Sequence, residues 1–83
     1  MNSPTEADRL NRVAEIWVQT LGVEAVGPDD NFFALGGDSI LVTIMVLQVE
    51  ELFDTMVSAD LVFDHPTLGE FVAAAFAAEP TAS

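Results

Sequence analysis

Ser39 is the residue best placed to do chemistry. It sits in the stretch DNFFALGGDSIL, residues 30–41. A polar start gives way to Phe32 and Phe33, then Leu35, then Gly36 and Gly37, and Asp38-Ser39 opens a long apolar run. Paired glycines interrupt helix and permit positive φ. Asp38 or Ser39 can cap the helix that follows. The hydroxyl therefore stands on a sharp loop-to-helix junction. Free N–H groups and the helix dipole favour phosphate at such a terminus.

A catalytic serine needs a base. The single histidine, His65, is followed by Pro66. A nucleophile elbow, G-x-S-x-G, fails because Leu41 stands where its last glycine belongs. No second site offers paired carboxylates in a pocket, and a domain this small can hardly enclose one. Asp29 and Asp30 do not begin a calcium loop: no glycine follows at the sixth position, and the twelfth is Ile40 or Leu41. With no cysteine, the usual zinc sites and disulfides are also excluded. No metal site and no intrinsic enzyme activity are expected.

The elements that must position Ser39 are helices. Ser3-Pro4-Thr5-Glu6 reads as a capping box with proline in the first turn. Leu10, Val13, Ala14, Trp17 and Leu21 form one apolar stripe, and Gly22 ends the helix. Within that stripe Trp17 is core rather than a stacking platform. Residues 23–31 form a loop with its turn at Gly27-Pro28-Asp29-Asp30, pinned to the core by Phe32, Phe33 and Leu35.

The second helix should run from Ser39 to Phe53. At about 100° per residue, Leu41, Val42, Met45, Val49, Leu52 and Phe53 share the core sector, and Glu50 and Glu51 mark the water side. Ile40, Thr43, Ile44 and Leu47 fall with the glutamates. Exposed aliphatics beside Ser39 suggest a docking surface; the alternative is that a neighbouring loop covers some of them. Asp54-Thr55 breaks the pattern. Ser58-Ala59-Asp60 caps a short turn through Phe63, which plugs the core. Pro66 halts that turn. Thr67-Leu68-Gly69-Glu70 is a second capping box, opening a last helix with the stripe Leu68, Phe71, Val72, Ala75 and Phe76. Glu79-Pro80 ends it.

No alternation supports a strand. The expected fold is all-α: a small four-helix bundle of three main helices and one short one, with a long loop between the first and second. One domain over residues 1–79 precedes a polar tail, 80–83.

The chain has 83 residues, 51% of them hydrophobic, enough for one small core. Net charge is −12, and Arg9 and Arg12 are its two basic residues. Phosphate backbones and anionic lipids would repel such a surface, so neither nucleic acid nor membrane is an expected partner. Partners should carry basic patches. No signal peptide or span-length apolar run is present, and a cytoplasmic monomer is expected.

FFALGGDSI resembles the attachment signature of phosphopantetheine-dependent carrier proteins, most closely the peptidyl and aryl carriers of nonribosomal peptide synthesis. The preceding D-x-F-F-x-L and the later F-D-H-P-T, at the right spacing, extend the likeness from about Leu10 to Phe76. The resemblance implies that Ser39 carries phosphopantetheine and that the arm's thiol holds an aminoacyl, aryl or acyl group as a thioester. Gly36 and Gly37 would leave room for the arm. Asp38 would cap the helix, contact a basic residue of the transferase, or both. The docking surface would comprise Ile40, Thr43, Ile44, Leu47 and, at its rim, Leu61. His65 falls in the D-H-P-T turn and takes a structural or exposed role. Implied partners are a phosphopantetheinyl transferase, an adenylating or acyl-loading enzyme, and downstream condensing, tailoring or transferase enzymes.

The double glycine favours a peptidyl carrier; Asp38 is usual in acyl carriers of polyketide and fatty-acid type and in a subset of peptidyl ones. The cargo class stays open. The initial Met and the one-domain length suggest a free-standing carrier, though a module excised from a larger synthase and given a start codon would look the same. A reading from a different class is an unmodified acidic helical adaptor that binds a basic partner through Ile40, Ile44 and Leu47.

Overall fold

The computed structural model describes residues 6–77. The Ser3–Glu6 capping box, the Glu79-Pro80 stop and the tail lie wholly or partly outside them. Four helices appear in order: α1 (Glu6–Leu21), α2 (Ser39–Phe53), α3 (Asp60–Asp64) and α4 (Leu68–Ala77). Helix α1 packs against α2 and α4, and α3 packs against α4. No strand forms among the described residues; one isolated antiparallel bridge joins Asn31 to Thr67. The expected all-α bundle of three main helices and one short one is the fold observed.

Each helix has a sequence cause. The apolar stripe of α1 puts Val13 and Trp17 in the core at 0% exposure, with Ile16 beside them. Gly22 ends the helix at φ 71°, and the amides of Gly22 and Val23 both donate to the carbonyl of Val18. That closure uses the left-handed conformation that glycine adopts at least cost. At the start of α4, the Glu70 amide donates to Thr67 Oγ1 at 3.3 Å, half of the expected capping box. Leu68, Phe71, Val72 and Phe76 then bury their side chains. Trp17 meets Phe32 edge-on at 4.9 Å and Phe71 at 6.1 Å, which joins α1, the long loop and α4 in one aromatic centre.

Helix α2 has the expected bounds, but its buried face is shifted. Val42, Met45, Val46 and Val49 are buried. Val46 completes the row Val42-Val46-Val49 at spacings of four and three, the ridge that packs between helices. Leu52, assigned to the core from the sequence, is 47% exposed. It lies in the last turn, where Phe53 turns to Phe76 instead, with ring centroids 4.9 Å apart. Glu50 is not a water-side marker: its Oε2 accepts from the amide of Val57 at 2.8 Å. Asp54 ends α2 in the left-handed region at φ 53°.

Phe63 also departs from expectation. It is 52% exposed and does not plug the core. Val62 is the residue of α3 that is fully buried. In this five-residue helix Val62 takes the fully inward position and Leu61 packs beside it on the core, which leaves Phe63 outside.

Candidate functional site

The loop before Ser39 is fixed from both sides. Its turn closes through Asp30 N–H to the Gly27 carbonyl at 3.1 Å, while Asp30 Oδ2 accepts from the Gly27 amide at 2.7 Å. The backbone then runs alongside the start of α4. Leu68 donates to Asp30, Gly69 to Pro28, and Phe32 to Pro66, at 3.1, 2.9 and 2.8 Å. Asn31 Oδ1 accepts from the amides of Phe33 and Ala34, folding the next turn on itself. These bonds anchor a long loop that would otherwise cost conformational entropy to hold.

Phe32 is the pin: it is fully buried. Phe33 is half-buried against the core, and Leu35 is half-buried without joining the packed cluster. Gly37 owes its identity to Phe32. A Cβ at Gly37 would collide with the Cδ2–Cε2 edge of the Phe32 ring and lie 2.7 Å from the Phe32 carbonyl oxygen, to which the Gly37 amide donates at 3.0 Å. Gly37 therefore makes room for the core aromatic, not for an arm. Gly36 differs: it holds φ 103° and a side chain there would meet nothing within 4 Å. Its requirement is conformational, and the space beside it is open.

Asp38 caps α2. Its backbone is extended at φ −141°, and Oδ1 accepts from the Leu41 amide at 3.0 Å. Ser39 is thus the first helical residue, and it is exposed. The first N–H groups of a helix have no intrahelical acceptor. Asp38 satisfies that of Leu41, which leaves those of Ser39 and Ile40 at the tip. Those two N–H groups and the open side of Gly36 fit a phosphodiester on the Ser39 hydroxyl, although the Asp38 carboxylate sets one like charge beside it.

Around this tip the expected docking residues are exposed: Ile40 at 69%, Ile44 at 42% and Leu47 at 55%, with Thr43 among them. Among the described residues no loop covers them. Thr43 Oγ1 donates to the Ser39 carbonyl at 3.1 Å, inside the same helix. Leu61 is half-buried and packs on the core. The exposed apolar residue of α3 is instead Phe63, stacked on Phe33 at 5.3 Å with the planes 24° apart. Sequence reasoning missed that contact, since a five-residue helix carries no usable period. His65 is half-buried where α3 meets α4, and its amide donates to the Leu61 carbonyl at 2.7 Å.

Comparisons with known proteins converge on this site. The family model described as "Phosphopantetheine attachment site" matches residues 11–75. Tyrocidine synthase 3 of Brevibacillus parabrevis is 41% identical over 59 residues, 71% of this chain and 1% of that protein. The chain thus spans about a hundredth of that relative's length. Among solved structures, BlmI, a type-II acyl-carrier-protein from Streptomyces verticillus involved in bleomycin biosynthesis, superposes with a TM-score of 0.83 at 33% identity, covering 87% of each chain. The peptidyl carrier protein solved in complex with the phosphopantetheine transferase Sfp and coenzyme A has a TM-score of 0.77 at 26% identity, over 93% of this chain and 94% of that one. The matched span contains the whole loop, the cap and α2, so the chain belongs to the phosphopantetheine attachment-site family, carrier proteins of nonribosomal peptide synthesis systems that bear the group covalently.

Proposed function

We propose that Ser39 is the attachment residue and that the chain is a peptidyl carrier presenting aminoacyl or aryl groups to partner enzymes. The observation that carries this reading is the exposed hydroxyl of the first residue of α2, behind a loop whose every turn is tied down. Once attached, the group supplies a terminal thiol that holds the cargo as a thioester. The chain's own work is placement. Asp38 fixes the helix start, Gly36 supplies the positive φ that brings the chain into it, and the N–H groups of Ser39 and Ile40 would serve the charge of a phosphodiester on Ser39.

Incubation with coenzyme A and a broad-specificity transferase should add the arm's mass to the protein. Ser39→Ala should abolish the gain while leaving the melting temperature unchanged, because the side chain is exposed. An unmodified adaptor would bind its partner with no dependence on Ser39.

Partners are the transferase, an adenylating or acyl-loading enzyme, and downstream condensing, tailoring or transferase enzymes. Ile40, Thr43, Ile44 and Leu47 form the surface proposed for them, with Leu61 at its buried edge. Leu47→Glu should lower partner turnover at least several-fold with the helix signal intact, since a half-exposed position tolerates charge within about 0.5 kcal/mol. A lost helix signal would move Leu47 to the core.

One observation favours an acyl cargo as the second reading: BlmI, a type-II acyl-carrier-protein, superposes with a TM-score of 0.83 at 33% identity, against 0.77 at 26% for the peptidyl carrier protein solved with Sfp. Assay of the modified protein against adenylating enzymes and acyltransferases, with the thioester identified by mass, separates the two cargoes.

A further inference from the structure

The Phe33–Phe63 stack takes no part in the placement just described, yet it is the aromatic link between α3 and the loop that delivers Ser39. We propose that Phe63 is a positioning residue for modification of Ser39, acting through Phe33 as a clamp on the attachment loop. The inference rests on Ser39 being the attachment residue.

Four observations carry it. Phe63 is 52% exposed, so it contributes little to the core that would explain its size. Its ring lies nearly parallel to that of Phe33 at 5.3 Å. Phe33 meets Phe32 edge-on at 5.7 Å, and Phe32 fills the space that Gly37 leaves. The Phe33 and Phe32 carbonyls accept from the amides of Gly36 and Gly37, at 3.1 and 3.0 Å, the last two bonds before the cap of α2. Movement of Phe63 is therefore transmitted through two rings to the two glycines beside Asp38 and Ser39.

Helix α3 is weakly held by itself. It has five residues and no side-chain cap at Ala59, and Ser58 Oγ accepts only the Asp60 amide at 3.2 Å. Isolated helices of this length do not persist in water, so α3 depends on its packing, through buried Val62 and α4 on one side and through the Phe63–Phe33 stack on the loop side. Aromatic pairs add to area burial and act at a defined ring geometry, which suits a clamp better than a greasy contact.

The test is a double-mutant cycle with Phe33→Leu and Phe63→Leu, read in two ways. Amide hydrogen exchange on the unmodified protein should show protection at Gly36 and Gly37 falling about 2- to 12-fold in each single variant. With the transferase and coenzyme A, kcat/KM should fall about three- to tenfold in each single variant, and the double variant should lose no more than either one. Phe63→Tyr, which keeps the stack, should restore both readouts. Unchanged exchange at Gly36 and Gly37 in Phe63→Leu overturns the clamp. So do additive losses in the double variant, which would make Phe63 a direct contact for the transferase. Should Phe63→Leu lose helix content, exchange in Phe33→Leu decides the matter. If the wild-type chain takes no arm at all, the attachment reading fails, and the exchange measurement still tests the coupling.

Discussion

The two ends of α2 are built differently. At its start, Ser39 follows a loop fixed by backbone hydrogen bonds to the beginning of α4, by buried Phe32 and by the Asp38 cap. At its end, Asp54 strains into the left-handed region, Leu52 and Met56 are exposed at 47% and 89%, and the Glu50 side chain reaches forward to the Val57 amide. Both ends expose apolar residues, so exposure alone does not mark a functional end. The difference lies in what holds the neighbouring backbone. The Ser39 end is over-determined, which suits the proposed task of offering one hydroxyl in one place. The far end is a connection, held by the amides of Asp54 and Thr55 on the Glu50 carbonyl, by the Glu50 side chain and by buried Val57, with no bond to another helix among them.

Substitutions at each end can break that contrast. Gly37→Ala should have the largest effect. The added methyl meets a buried ring and a carbonyl, neither of which can retreat, so a loss of about 3 kcal/mol or more is expected in chemical denaturation. A loss below about 1 kcal/mol would mean that Phe32 can move and that the loop is not fixed. At the other end, Glu50→Ala should cost about 1–2 kcal/mol by orphaning the half-buried Val57 amide, whereas exposed Glu51→Ala should change stability by less than about 0.5 kcal/mol. Equal effects would show that Glu50 is a surface charge after all. Smallest is Asp54→Gly, which relieves the left-handed strain and removes a negative charge from a helix C-terminus. A gain of about 0.5–1 kcal/mol is expected, seen as a raised melting temperature. A decrease would mean that the carboxylate has a partner in solution.

The same contrast explains what the sequence disclosed. Period was enough for the three long helices, and local residue type for Gly22 as a stop, Thr67 before α4 and Asp38 before Ser39, because each rests on neighbours within four residues. The loop pin Phe32 was legible from its aromatic type in a polar stretch. What was not legible depends on contacts between segments. Phe63 belongs to a helix too short to show a period, and its partner Phe33 is 30 residues away in sequence. Glu50 and Glu51 look alike, and only the path of the 54–58 connection tells them apart. The purpose of Gly37 follows from the position of the Phe32 ring, which no local rule supplies. Helix α2 is apolar almost all round, so its angular pattern was too flat to choose Val46 over Leu52.

The central claim is that one exposed hydroxyl, on the first residue of α2, is a tether. The most direct measurement is fragment mass mapping of the protein after reaction with coenzyme A and a broad-specificity transferase. The account predicts a single added arm on the fragment containing Ser39, and none in Ser39→Ala. An unmodified wild-type chain, or an arm that persists in Ser39→Ala, would contradict it.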